Sequence, residues 1–153
     1  MSSRVHARVD IAAPPAAVFA FFDDLANASV LVPNLVEVTM VESLSNGGRR
    51  VEYATEGRDG TRHLASSEHI VYEAPHRTVT RSVSSGVATI ATIATIATRA
   101  FVTVPGGTRV VATIEWDVAI RYVSRLVSAP LRGPYRRALR DTLASAAAAF
   151  AAR

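Results

Sequence analysis

The stretch GPYRRALRDTLASAAAAFAA, residues 133–152, decides the fold. Gly133 suits an N-cap and Pro134 the first helical position, where its missing N–H removes no hydrogen bond. Tyr135, Leu139, Leu143, Ala146 and Phe150 then recur at the three-and-four spacing of one helical face. Arg137, Arg140, Asp141 and Ala144 fall on the other side. Nineteen residues from Pro134 to Ala152 at about 1.5 Å each make a rod of roughly 28 Å, enough to cross a small domain. Such a stripe needs a surface to lie on. Nearly everything upstream reads as strand, so the expected surface is a sheet.

Val5, Ala7, Val9 and Ile11 alternate with Arg4, His6, Arg8 and Asp10, the pattern of a strand with one buried face. Pro14-Pro15 ends it and opens a helix with Val18, Phe22 and Leu25 on one face. Asp23-Asp24, Asn27 and Ser29 mark a break and a second short helix that ends before Pro33. Strands are expected at 35–44, 49–57, 61–74 and 77–84. Asn46-Gly47-Gly48 and Arg58-Asp59-Gly60 supply hairpin turn chemistry between them. Residues 88–98 repeat Thr-Ile-Ala, a period of three that fits neither strand nor helix. Their β propensity predicts a strand, and isoleucines on both faces suggest a bulge or a covered outer face. After Pro105-Gly106-Gly107-Thr108, Val110, Ala112, Ile114, Trp116, Val118 and Ile120 form the cleanest alternation of the chain. The expectation is α+β: an antiparallel sheet of about seven strands, two short helices after the first strand, and a long last helix.

With 153 residues the chain reads as one domain, 1–153. It lacks cysteine, which removes disulfides, thiolate metal sites and a cysteine nucleophile. No run approaches the roughly 20 apolar residues of a membrane span, and the apolar run 12–22 carries two prolines, unlike a signal peptide. A cytoplasmic protein is expected. All 17 basic residues are arginine against 13 acids, a net charge of +4. Arg121, Arg125, Arg132, Arg136, Arg137 and Arg140 cluster near the C-terminus with Asp141 alone opposing them. They read either as a solvated helix face or as a surface for RNA, ribosome or membrane.

The order of elements, with particular residues, resembles the START/Bet v 1-like (SRPBCC) superfamily of the polyketide cyclase/dehydrase and lipid-transport type. The residues that carry the likeness are Val9 to Phe19, Asp24, Pro33, Val36-Glu37-Val38, Gly107-Thr108-Arg109-Val110 and the last helix. Members often carry a tryptophan beside the proline of the second helix, and Ser29-Val30-Leu31-Val32-Pro33 has none. The resemblance implies a helix-grip fold, in which the curved sheet wraps the long helix around an apolar cavity. It also implies ligand carriage, aromatic cyclisation or dehydration, or an interaction role.

Strict alternation over residues 61–73 puts Leu64, Ser66, Glu68, Ile70 and Tyr72 on one face, expected to line the cavity. Glu68 inside would be a candidate acid or base, with Arg99 as its cation. A four-residue hairpin loop would place Arg99 and Phe101 on the Trp116 face; a three-residue loop would turn them outward. A rim position for either charge is the plainer alternative. Tyr53, Trp116, Tyr135, Leu139 and Leu143 complete the expected ligand-binding wall. His63 and His69 lie about 20 Å apart along an extended strand, too far for one metal ion, and His6 and His76 are isolated. There is no G-x-S-x-G, Walker A or dinucleotide fingerprint, so neither metal nor cofactor is expected. The leading expectation is binding of a small hydrophobic molecule. The rivals are a true cyclase or dehydratase using Glu68 and Arg99, and an interaction protein using the arginine cluster.

Overall fold

The computed structural model describes residues 3–85, 91–120 and 132–152. Its elements are β1 (Ser3–Ile11), α1 (Pro15–Asp23), a 3-10 turn (Leu25–Asn27), α2 (Ala28–Leu31), β2 (Leu35–Ser43), β3 (Arg49–Glu56), β4 (Arg62–Glu73), β5 (Arg77–Ser85), β6 (Ala91–Val104), β7 (Gly107–Ile120) and α3 (Arg132–Ala151). All seven strands join one antiparallel sheet in the order β1-β7-β6-β5-β4-β3-β2. From β2 to β7 each strand lies beside its successor in the chain. β1, followed by helices, pairs instead with β7 at the far edge.

The curved sheet closes on α3, as the stripe requires. Leu139, Leu143 and Ala146 are buried, and Tyr135 and Phe150 pack against the same core. Opposite them stand Val5, Val110, Ala112 and Trp116, all essentially inaccessible. The helix begins two residues earlier than expected, at Arg132. Pro134 still sits in the first turn, where an N–H has no intrahelical acceptor. Arg132, Arg136, Arg137 and Arg140 are exposed on α3; Arg121 and Arg125 lie outside the described residues.

α1 starts as its prolines dictate, with Pro15 in the first turn and the Val18 amide donating to the Pro14 carbonyl at 3.1 Å. Its buried Phe19 and Phe22 meet Phe101 edge-on at 5.1 and 5.6 Å, and Phe21 meets Phe150 at 5.7 Å. One short helix is thereby pinned to both sheet and α3. Where β1 ends, Gly107 lies so close that a Cβ on it would stand 2.1 Å from the Ile11 carbonyl oxygen. The buried Thr108 hydroxyl beside it donates to the Ala13 carbonyl at 2.7 Å.

Two local features decide which side chains face inward. The β6–β7 loop has two residues, Pro105-Gly106, because Val104 pairs with Gly107. Gly106 adopts φ +86°, the second central position of a turn that proline opens. Two residues share the parity of the four-residue alternative and not of the three-residue one, so Arg99 faces Ala112, Phe101 faces Val110, and both join the Trp116 face. The second feature overturns an expectation. In β4, His69 pairs with Thr80 and Val71 with Val79, which leaves Ile70 as an extra residue. This bulge breaks the alternation. Tyr72 faces inward, whereas Leu64 (59 % exposed) and Ile70 (42 %) lie on the outer face. No such bulge interrupts the Thr-Ile-Ala segment, since 91–104 pairs in unbroken register with β7; residues 88–90 lie outside the described residues.

Candidate ligand cavity

Between α2, the inner faces of β2–β7 and the first half of α3 lies a partly open cavity of about 390 Å³. Leu31, Val32 and Pro33 border it where α2 ends. Tyr53 from β3 and Tyr135 and Leu139 from α3 form further wall. Burial pushes both phenols above their ordinary pKa, and for Tyr135 the nearby Tyr53 adds to the effect. Both therefore remain protonated donors at neutral pH. The Tyr135 ring also lies 4.7 Å from Trp116, which fixes the head of the α3 stripe.

The polar end of the cavity is built by Arg99, His69 and Arg49. The Arg99 guanidinium lies over the Phe22 ring at 5.5 Å, a cation–π contact. Burial pushes its pKa down from the usual arginine value, yet a guanidinium keeps its proton at neutral pH. His69 accepts the Arg49 backbone N–H through Nδ1 at 3.1 Å. Its pKa is lowered, first by burial and then by the charge of Arg49, with Arg99 adding to the effect and Asp23 opposing it. In the neutral ring the remaining proton therefore sits on Nε2. Gly48 makes the contact possible, because a Cβ there would stand 2.5 Å from the His69 Cβ.

Arg49 is tied down. Its guanidinium donates to the Asp23 backbone carbonyl and pairs with the Asp23 carboxylate at 3.5 Å. Tyr72 donates to the other oxygen of that carboxylate at 2.8 Å. This cluster binds the end of α1 to β3 and β4 at the border of the cavity. The neighbouring Asp24 carboxylate accepts the Ala26 backbone N–H at 2.9 Å and so caps the 3-10 turn.

Of the residues expected at the site, Arg99, Tyr53, Tyr135 and Leu139 line the cavity. Phe101, Trp116 and Leu143 are buried in the core and are not among its lining residues. The inward Glu68–Arg99 pair does not form. Glu68 lies on the outer face beside Ser66, where Arg81 and Arg50 both pair with it. Those two guanidiniums hold its carboxyl below the usual range, Arg81 first. Leu64, Ser66 and Ile70 leave the cavity wall for the same reason, the bulge that alternation did not reveal. His69 and Ser67 take their place, together with Thr80, Ser82 and Ala97 from the next two strands. Among the described residues no group of three or more His, Asp or Glu is placed to hold a metal ion, and no helix is long and apolar enough to cross a membrane.

Residues 2–153 match the model of a family described as polyketide cyclase/dehydrase and lipid transport. The chain belongs to that family. Its fold recurs, at low identity, in solved structures. The di-domain ARO/CYC BexL of the BE-7585A biosynthetic pathway is 22% identical at a TM-score of 0.71, over 95% of this chain and 49% of that one. The di-domain ARO/CYC StfQ of the steffimycin pathway is 14% identical at 0.72, over 97% and 50%. This polyketide cyclase/dehydrase and lipid-transport family member thus spans about half the length of either. A protein of Thermus thermophilus, TTHA0849, is 19% identical at 0.70, over 98% of both chains. No curated protein matches by sequence.

Proposed function

We propose that this family member binds a small hydrophobic molecule in the cavity between its sheet and α3. The observation that carries the reading is the cavity itself. At about 390 Å³, with a mostly apolar wall and a few convergent polar groups, it has the size and character of a small-molecule site. The family description and the di-domain ARO/CYC neighbours support the same reading. Tyr53, Tyr135 and Leu139 form its wall and Arg99 its polar anchor. Carriage is favoured over cyclisation because Glu68, the carboxylate expected to work as acid or base, sits on the other face of the sheet. The chain is read as a single cytoplasmic domain.

Two measurements test this. Native mass spectrometry of freshly purified protein should reveal an adduct of roughly a few hundred daltons, the size such a pocket holds. An uncharged naphthalene dye should brighten on binding, and Leu139→Trp, which fills the wall, should weaken its binding at least about tenfold while the fold is retained. Dye affinity indifferent to Leu139→Trp would rule the cavity out as the binding site.

A further inference from the structure

Arg99 is the cation of the cavity that no carboxylate pairs with among the described residues. Among the described residues it makes no ion pair and no hydrogen bond; its one contact of this kind is the Phe22 ring. Segments 86–90 and 121–131 contain no aspartate or glutamate, so they offer no side-chain carboxylate to complete a pair. Of the carboxylates at the site, Asp23 pairs with Arg49 and Tyr72, while Asp24, which lines the cavity, accepts the Ala26 amide and forms no ion pair with Arg99. No side-chain nitrogen or oxygen sealed inside the described protein lacks a partner, so the free N–H groups of Arg99 open onto the cavity. A guanidinium partly withdrawn from water without a paired counter-charge carries a desolvation cost, and an anion seated on it offsets that cost.

His69 sharpens the chemistry. Its Nδ1 is occupied by the Arg49 amide, so the neutral ring offers the cavity an N–H and no acceptor. Arg49 is itself paired with Asp23, which leaves Arg99 as the lining guanidinium without a paired carboxylate. We infer that the cavity takes a monoanion, a carboxylate on an apolar body, with the carboxylate seated on Arg99 beside His69. This rests on the reading of the cavity as a ligand site. A neutral carbonyl would supply one acceptor but leave the charge in place, whereas a carboxylate accepts both N–H groups of the guanidinium fork and cancels it. At about 30 Å³ per non-hydrogen atom the cavity's volume admits roughly a dozen, the size of a naphthalene ring system or a ten-carbon chain with its carboxyl group.

Calorimetric titration at neutral pH with naphthoate, naphthamide and decanoate decides the matter. Naphthamide has the shape of naphthoate without its charge. The expected result is that at least one acid binds about tenfold or more tighter than naphthamide, as a charge-assisted hydrogen bond implies. Arg99→Gln should abolish that preference by weakening the acids far more than naphthamide, and Arg99→Lys should keep part of it. Naphthoate favoured over decanoate would indicate an aromatic acid, and the reverse order a fatty acid. Acids that bind no tighter than naphthamide, or a preference that survives Arg99→Gln, would overturn the inference with the cavity still a ligand site. No binding of naphthamide, of either acid or of the uncharged dye would remove the ligand site as well. The wild-type comparison is decisive even if Arg99→Gln does not fold.

Discussion

At His69 burial and two guanidiniums act in the same direction, and the consequence is a pH dependence with a definite sign. The folded-state pKa lies below histidine's ordinary value of 6.5, so between the two values the unfolded chain binds the proton and the folded chain does not. Stability is therefore complete above about pH 6.5 and is lost as the pH falls below it. His69→Gln should flatten that loss, which melting temperatures at pH values from about 7 to about 5 will show. An unchanged slope would mean that the ring is protonated in the fold at no cost. At this scale the sequence is only partly legible. From the residues alone the orientation of Arg99 stays open between a four- and a three-residue hairpin loop, and the two-residue loop, even like the first, turns it inward. His69 carried no such mark. It lies one residue before the bulge, and the clue to it, the fit against Gly48, is a contact between residues 21 positions apart.

β4 and α3 show how legibility differs between elements. The α3 stripe needs only the helical period, and every member of it lies on the core. β4 needs a register, and the register is set by its neighbour. Residues 64–70 and Tyr72 obey one alternation only if every residue is paired, and Ile70 is not. Because Ile70 is the inserted residue, deleting it should heal the ladder with β5 and keep both His69 and Tyr72 facing inward. Deleting Ser67 shifts a regularly paired segment by one and turns its side chains to the wrong face. Among single deletions across β4, that of Ile70 should cost the least stability, measured by urea midpoint. Equal damage at 67 and 70 would show that the bulge has a role beyond spacing.

For the molecule as a whole, the order of strands and helices was legible because each element announces itself locally. The cavity was implied by the family resemblance, but most of its lining was not legible, because it is a gap that no single element contains. Its lining runs from Phe22 in α1 to Thr142 in α3 and draws on six strands besides, with no stretch supplying more than a few side chains. A site assembled in this way exists only when the entire chain is in place, so occupancy is coupled to global unfolding and not to the fraying of any one part. A ligand such as naphthoate should therefore slow the slowest-exchanging backbone amides of the sheet and of α3 by a common factor, about 100-fold at 100 times its dissociation constant. Hydrogen exchange read by mass spectrometry would show this uniform protection. Protection confined to α2 and the ends of β3 would mean that the ligand senses only a local door.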